Sequence, residues 1–470
     1  MKLSNFLAGL TLLFSVAVAA AEPVKPSVLP DELAEAEAFA LGYQAYITGA
    51  VYARSQILME KDIHPKAAIN APLNQFNIYP GLATPASAID FTPNNDTVYG
   101  LAWLDLRQGP VLMTIPKVPQ RYWTVQATDW ALNTFSYVGS RVKSKAGTYA
   151  FVPPGWKGKL PAGVTRLEAS TTGIFLQART VVKPEVPEDI APVVAQLKTY
   201  TLTPLNKGAK YLAADAASPV PNPKLNNPIW QSLSFYDLLN RAWDFGGVRE
   251  QDKEVADLAA ALGIGPGLKF DPALLTEAQR RGLTKAAIAG FNRTRAFARE
   301  NGELRNGWRY ATNIGRYGAA RLRASSVGIM GYGGNAAEEA LYFPAFTDDK
   351  GELLTSDRRY RIRFAGDNLP PAEAFWSITA YSLPENQLKE NPINRYAIGD
   401  RTPSLIRGAD GSVEILLQRE RPDGAAYANS NGNWLPSGVG PLWLLLRMYV
   451  PKQNAITGDY APPTVERVDG

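Results

Sequence analysis

The chain has 470 residues, more than the ~250 to 300 at which a single hydrophobic core stops growing, so two or three domains are expected. Hydrophobic residues make up 46% and charged residues 20%, a balance that fills a core and excludes a largely disordered chain. The 49 basic and 44 acidic residues leave a net charge of only +5. Because Lys and Arg are scattered along the chain, the charge excludes a nucleic-acid footprint.

Cysteine is absent and histidine occurs once, at His64. This composition excludes disulfides, Cys–His nucleophilic sites, zinc sites of the usual Cys and His type, iron–sulfur clusters and His-ligated haem. We expect no cofactor, and we assign no metal ligands among the candidate site residues.

The first 21 residues have the pattern of a cleaved export signal. Met1 and Lys2 give a positive start, residues 6–18 are apolar, and Ala19 to Ala21 supply small residues for cleavage before Glu22. The apolar run is shorter than the ~20 residues that a membrane span needs. The sequence predicts a periplasmic or secreted protein with no stable membrane insertion.

Residues 22–73 are predicted to form a tether followed by a helix from Asp31 to about Met59. Residues 74–185 then give short strands separated by Pro and Gly, a pattern typical of a β-sandwich. These strands are predicted at Thr97–Leu104, Val111–Ile115, Tyr122–Ala127, Tyr149–Val152 and Gly173–Val182.

Residues 186–330 are predicted to be a helical insert. A helix follows Pro187, Ser234 to Asp237 resembles a capping box, and Asp271-Pro272 opens a long helical stretch towards Glu300. After a loop at residues 328–334, residues 331–470 return to strands. The second set is predicted at Leu341–Phe346, Tyr360–Phe364, Phe375–Tyr381, Ser412–Gln418 and Leu442–Val450.

A similar segment occurs in both strand regions. Residues 122–128 read YWTVQAT and residues 375–381 read FWSITAY, and each is followed by turns and a later strand that ends in Arg. Alternation puts Trp123 and Trp376 on the core face of their strands, and packing there is favoured over a role as ligand platforms. We predict a multi-domain α+β protein with an N-terminal helix, a helical insert and two antiparallel β-sandwich (jelly-roll-like) units related by internal duplication.

The two strand regions resemble a family of bacterial and fungal proteins that pair a DUF1254 domain with a DUF1214 domain, whose function is largely undefined. The resemblance is carried by Pro93-Asn94-Asn95-Asp96-Thr97-Val98-Tyr99, Gly139-Ser140-Arg141 and Pro154-Gly155-Trp156-Lys157-Gly158 in the first region, and by Glu339-Ala340-Leu341-Tyr342, Phe375-Trp376-Ser377 and Asn394-Arg395-Tyr396 in the second. It implies two β-sandwich units and a helical part. Relatives often carry Asn-x-Phe-x-His ahead of the first motif, but this chain has Ile78 in place of that histidine.

The segment Pro93 to Tyr99 is the densest polar motif. Its amides and carboxylate could hold a hard cation such as calcium, although that would need further oxygen ligands from elsewhere. Alternatively, Asp96 could act as a base and Tyr99 as a proton donor, while Asn94 and Asn95 orient a substrate. Alternatively, Asn94 or Asp96 bonds to nearby backbone in an Asx turn.

Arginines form the second group of candidates. Arg121, Arg395 and Arg401 could clamp anionic substrate groups, with Trp434 in a neighbouring loop. The same reasoning applies to Arg141, Arg179 and Arg447. The alternative is that each arginine pairs with a carboxylate, such as Asp129 or Asp400, to fix loops. A surplus of arginines over carboxylates in one cleft would favour anion binding.

Two hypotheses follow. The first is an exported enzyme, a hydrolase or lyase, that acts on a small organic or glycan substrate with anionic groups. The second is a non-catalytic cell-envelope protein that binds a glycan, a lipid headgroup or another anionic ligand. Neither involves nucleic acid, and both are compatible with a homo-oligomer. Convergence of Asp96, Tyr99 and an unpaired arginine on one pocket would favour the enzyme.

Overall fold

The computed structural model describes residues 29–87, 92–424, 427 and 430–468. Two β-sandwich units and a layer of helices make up this part of the chain, so the predicted α+β class is confirmed. The predicted signal peptide, residues 1–21, lies outside the described residues.

One layer of helices combines the N-terminal helix with the central insert. The helices are α1 (Asp31–Asp62), α2 (Ile190–Leu197), α3 (Ser234–Gly246), α4 (Lys253–Ala259), α5 (Glu277–Glu300), α6 (Arg321–Met330) and α7 (Gln453–Thr457). Helix α1 packs against α3, α4, α5 and α6. Helices α1 and α5 approach closely, because a Cβ atom on Gly282 would lie only 2.4 Å from the carbonyl oxygen of Glu35. The predicted N-terminal helix is therefore the centre of the helical layer.

The first unit contains nine described strands. They are β1 (Asn77–Ile78), β2 (Thr97–Asp105), β3 (Val111–Ile115), β4 (Trp123–Asp129), β5 (Thr134–Gly139), β6 (Gly147–Val152), β7 (Thr165–Glu168), β8 (Gly173–Val181) and β9 (Thr201–Pro204). The larger sheet has the order β1-β2-β8-β4-β5, and the smaller sheet has the order β7-β6-β3-β9.

The second unit contains ten described strands. They are β10 (Glu303–Arg305), β11 (Trp308–Tyr310), β12 (Ala340–Ala345), β13 (Arg359–Phe364), β14 (Ala372–Ser382), β15 (Ala397–Gly399), β16 (Val413–Gln418), β17 (Trp434–Pro436), β18 (Leu442–Pro451) and β19 (Glu466–Val468). The larger sheet has the order β10-β11-β12-β18-β14-β15, and the smaller sheet has the order β17-β16-β13-β19.

The two units share one topology. In the larger sheets β2-β8-β4-β5 corresponds to β12-β18-β14-β15, and in the smaller sheets β7-β6-β3-β9 corresponds to β17-β16-β13-β19. The registers agree as well, since Tyr99 lies opposite Arg179 in the first unit and Tyr342 lies opposite Arg447 in the second. Each smaller sheet also has one parallel pair, β6 with β7 and β16 with β17, which the purely antiparallel prediction did not include.

Each unit has its own core between its two sheets. Trp123 and Trp376 are 7% and 3% exposed and pack among the aliphatic side chains of the facing strands. Burying one tryptophan removes ~200 Å² from water, which is worth several kcal/mol at ~25 cal/mol/Å². Both side chains therefore have a structural role, as the alternation predicts.

Several element boundaries differ from those predicted. Strand β9 extends the first unit beyond residue 185 because it pairs with β3, and β10 and β11 add residues of the predicted insert to the second unit. Ser234 makes no capping hydrogen bond at the start of α3. The capping box belongs instead to Thr276 and Gln279 at the start of α5, while Asp271 caps a short 3₁₀ turn before it. Helix α6 includes Gly328, which was predicted to lie in a loop.

Equivalent glycines allow the last strand of each larger sheet to approach its neighbour. A Cβ atom on Gly139 would lie 2.5 Å from the carbonyl oxygen of Trp123, and one on Gly399 would lie 2.0 Å from that of Trp376. Rigid backbone cannot relieve either clash. Both units therefore need a glycine at this position because any larger side chain would clash with the neighbouring strand.

We expect Gly399→Ala and Gly139→Ala each to lower the free energy of unfolding by about 1 to 3 kcal/mol, because overpacking forces the strands apart. Urea denaturation measures the change. Gly208→Ala is the matched control, since its nearest foreign atom would lie 3.6 Å from the new Cβ. Equal stability of the three variants would contradict the close approach of the strands.

Candidate functional site

Two arginines lie at equivalent positions on the outer faces of the larger sheets. Arg179 in β8 and Arg447 in β18 are 4% and 3% exposed. The alternation that sends Ala178 and Leu446 into the sandwich cores turns both arginines away from those cores. They face the interior of the molecule, where the two units and the helical layer meet.

Arg179 is held by neutral acceptors. Its Nη1 atom donates to Gln126 Oε1 at 3.1 Å and to Asn335 Oδ1 at 2.6 Å, and its Nη2 atom donates to Gln177 and, at 2.9 Å, to the carbonyl of Gly333. The guanidinium carbon lies 5.6 Å from the centre of the Tyr99 ring. No carboxylate of the described residues pairs with this guanidinium, so its charge is solvated only by dipoles and an aromatic face.

Arg447 has fewer partners than Arg179. Its Nη1 atom donates to Thr379 Oγ1 at 2.9 Å and its Nη2 atom donates to Tyr381 Oη at 2.7 Å. An arginine has five N–H groups, so three of them have no acceptor among the described residues. As with Arg179, no carboxylate in the described part of the chain forms an ion pair with Arg447. It is the better placed of the two to bind a ligand directly.

Three tyrosine hydroxyls add donors beside the arginines. Tyr342 Oη accepts from the backbone and side-chain amides of Asn335 at 3.1 and 3.0 Å, and Tyr449 Oη accepts from Asn94 Nδ2. Their own protons, and the hydroxyl of Tyr99, have no acceptor among the described residues. Burial raises the pKa of Tyr449 well above its usual value, so this phenol keeps its proton and remains a donor.

These residues line a central cavity of about 220 Å³. The cationic members of its wall are Arg179, Arg295, Arg299, Arg309 and Arg447. No Asp or Glu of the described residues lines it. The cavity therefore has a surplus of positive charge and of hydrogen-bond donors over acceptors.

A second cavity, of about 1000 Å³, lies where the β14–β15 region meets the first unit. Asp96 is 5% exposed and forms part of its wall. Its Oδ1 atom accepts from Arg401 Nη2 at 2.8 Å and its Oδ2 atom accepts from Ser377 Oγ at 2.7 Å. Unlike the central cavity, this one contains both signs of charge, because Glu185 and Arg395 also line it.

Asp96 and Tyr99 do not come together. Tyr99 lines the central cavity, whereas Asp96 lines the second cavity with both carboxylate oxygens already bonded. Asn94 bridges the two regions, since its Oδ1 atom accepts from the backbone N–H groups of Asp96 and Thr97 while its amide reaches Tyr449. The Asx turn that sequence offered as the alternative is the arrangement observed.

Other predicted site residues have mainly structural contacts. Asn95 donates to the carbonyl of Ala83 and lines the second cavity. Arg121 pairs with Asp189 at 3.0 Å and lines neither cavity.

Arg395 and Trp434 also bond to other groups of the protein. Arg395 pairs with Glu185 and donates to the carbonyls of Gly432 and Trp434. Trp434 is 1% exposed and donates its indole N–H to Gln418, so it offers no surface to a ligand.

The expected pairing of arginines with Asp129 and Asp400 does not occur. Asp129 accepts from the backbone N–H groups of Ala131 and Asn133 and from Ser170. Asp400 accepts from the N–H of Trp376 at 3.1 Å, and burial raises its pKa to about 6. The neighbouring Arg401 donates from Nη2 to Asp96 and from Nη1 to the carbonyl of Val182 instead.

Sequence reasoning named Arg179 and Arg447 only as two arginines among several and did not bring them together in one site. Nothing in either strand alone distinguishes an arginine with a carboxylate partner from one without. The signal that could have identified them is the strand register, because each arginine lies opposite a tyrosine, Tyr99 or Tyr342, when the two units are compared.

The described residues contain neither a side-chain cluster suited to a metal ion nor a helix suited to crossing a membrane. No group of three or more His, Asp or Glu side chains there could hold a metal ion. Among the helices of that part, none combines the length and apolarity required to cross a bilayer.

Two family models match the chain. "Protein of unknown function (DUF1254)" matches residues 73–204, which end with β9, and "Protein of unknown function (DUF1214)" matches residues 339–453, which begin just before β12. No curated protein matches the chain.

Two solved structures are similar. The VPA0106 protein from Vibrio parahaemolyticus is 23% identical, with a TM-score of 0.65 over 92% of this chain and 100% of that one. A putative uncharacterised protein from Burkholderia cenocepacia is 13% identical, with a TM-score of 0.46 over 89% of this chain and 92% of that one. The first likeness concerns the fold.

Proposed function

The chain belongs to the family that pairs a DUF1254 domain with a DUF1214 domain, and on this premise we propose that it binds a small organic anion in the central cavity. The observation that carries the proposal is that two buried arginines, Arg179 and Arg447, line this cavity together with Arg295, Arg299 and Arg309, whereas no carboxylate of the described residues lines it. Arg295 and Arg299 are exposed, so the buried pair has the greater need of a counter-charge. The ligand would supply the missing negative charge.

The free-energy cost of burying a charge supports this assignment. An arginine keeps its proton in proteins, so burying Arg447 and Arg179 leaves two permanent charges away from water. A buried charge without a counter-ion costs several kcal/mol unless hydrogen bonds or a partner compensate it. Neutral acceptors surround Arg179, but three N–H groups of Arg447 have no acceptor among the described residues. An oxyanion such as a carboxylate or phosphate matches a guanidinium fork and the nearby phenols.

A hydrolase or lyase that uses Asp96 and Tyr99 is less well supported. The two side chains line different cavities, and Asp96 is bonded to Arg401 and Ser377. A general base and its proton donor have to lie within hydrogen-bond reach of the same substrate, and these two side chains face different cavities. Binding without catalysis by this pair is therefore the function that the geometry favours.

We also propose an origin for the two units and a location for the protein. The common topology and register of the two units support an internal duplication. The pattern of residues 1–21 supports export and cleavage before Glu22. The exported protein would bind its ligand in the periplasm or outside the cell. The free edges of the sheets leave room for a homo-oligomer.

Removing the hydroxyl of Tyr99 tests the site with little risk to folding, because this hydroxyl has no partner among the described residues. A screen with butyrate, octanoate, benzoate and glycerol phosphate would first identify the best-binding anion by its effect on the melting temperature. We expect Tyr99→Phe to weaken that anion about tenfold in calorimetry, since a hydrogen bond to a charged group is lost.

Tyr211→Phe is the matched control, because the buried hydroxyl of Tyr211 is also without a partner in the described region but lies outside both cavities. This variant should bind the anion normally. Arg447→Met should abolish binding while retaining a native circular dichroism spectrum. Unchanged binding by a folded Arg447→Met protein would contradict the proposal.

Export is tested separately by expressing the full chain in a Gram-negative bacterium. The processed protein should be released by osmotic shock with Glu22 as its first residue, because the small-residue pattern ends at Ala21. Mass spectrometry of the released protein measures the cleavage point. Retention of an unprocessed chain in the cytoplasm would contradict this part of the account.

A further inference from the structure

The outer face of two paired strands changes from polar to apolar along the central cavity. On β18 the outward residues run from Arg447 through Leu445 to Trp443, and all three line the cavity. Strand β12 is antiparallel to it, with Tyr342 opposite Arg447 and Pro344 opposite Leu445. At the same end of the two paired strands, Arg447 and Tyr342 provide hydrogen-bond donors. Towards the other end, the outward side chains of both strands are apolar.

The apolar end is closed by two aromatic rings. Phe346 follows β12 directly and stacks on Trp443, with ring centres 5.3 Å apart. From Arg447 to Trp443 is four residues, or ~13 Å at ~3.3 Å per residue. The cavity is therefore a slot with a cationic end and an apolar end about that far apart.

Side chains from other elements continue the apolar wall. They are Ile314, Val327, Met330 and Leu383, and each is only partly buried. Apolar side chains of a core are normally closed by their neighbours, so partly exposed ones around an internal cavity leave a surface for an apolar ligand group. Phe346 and Pro344 are likewise partly exposed although they lie between the two units.

We propose that the ligand is an amphipathic oxyanion. Its carboxylate or phosphate head lies at Arg447 and the hydroxyls of Tyr99, Tyr342 and Tyr449, and its unbranched alkyl or aryl body lies along Leu445 and Pro344 towards Phe346. The inference rests on the proposed anion-binding function and adds the class of ligand. A small inorganic anion would satisfy the charged end but leave the apolar wall uncovered. An uncharged lipid tail would cover the wall but leave the arginines without a counter-charge.

Calorimetry with three probes separates the two ends of the ligand. Octanoate has both the head and the body, butyrate has the same head with a shorter body, and octan-1-ol has the body without the charge. Octanoate should bind on the order of 100-fold more tightly than butyrate, because four more methylenes are buried. Octan-1-ol should bind at least tenfold more weakly than octanoate, because the guanidinium loses its counter-charge. Octyl phosphate, tested in parallel, distinguishes a phosphate head from a carboxylate head.

Phe346→Ala tests the apolar end without touching the charged one. It should weaken octanoate about tenfold and leave butyrate unchanged, since only the longer ligand reaches the Phe346–Trp443 stack. Phe135→Ala is the matched control: Phe135 is also partly buried but belongs to the first unit and lines neither cavity. It should bind both probes as the parent protein does.

The outcomes separate this inference from the proposed function. If butyrate and octanoate bind equally, and Phe346→Ala affects neither, the anion site remains and the amphipathic ligand is wrong. If octan-1-ol binds as tightly as octanoate, or if none of the probes binds, the proposed anion-binding function itself fails. Tight binding of octanoate that is weakened about tenfold in Phe346→Ala and lost in Arg447→Met supports the two-ended ligand.

Discussion

Two guanidinium groups, those of Arg179 and Arg447, lie at the centre of the molecule with no carboxylate partner in the part of the chain that the structure describes. Their charges are permanent, so the fold must solvate them by other means. Gln126, Asn335 and the carbonyl of Gly333 perform this role for Arg179. Arg447 is solvated less completely. Its guanidinium forms part of the wall of the central cavity.

The common topology of the two units explains why both guanidinium groups line the same cavity. Each larger sheet has an arginine at the same register, and the outer faces of both sheets turn inwards instead of to solvent. The helical layer completes the enclosure, because Tyr332 after α6 packs on Trp103 and Phe175 of the first unit. Asn94 then ties the first unit to Tyr449 of the second. Duplication would thus produce a two-sided polar interior from one strand pattern.

The sequence predicted much of the fold and little of the site. Alternation and paired tryptophans identify both sandwiches, because a period of two is a local property. The partners of Asp96 and Arg121 could not be predicted, since Arg401 and Asp189 reach them from distant segments. The capping box predicted at Ser234 was wrong, because the Ser234 side chain makes no capping hydrogen bond at the start of α3. Charge balance in a cavity depends on which carboxylates are used elsewhere, and that depends on the whole fold.

The positive charge that the central cavity offers to an oxyanion can be measured by carbon-13 NMR of carboxyl-labelled octanoate, titrated with acid while bound. We expect the pKa of the bound carboxyl to lie below that of free octanoate, because Arg447 and the tyrosine hydroxyls stabilise the ionised form. A bound pKa above the free value, as burial in an apolar cavity alone would produce, would contradict this expectation.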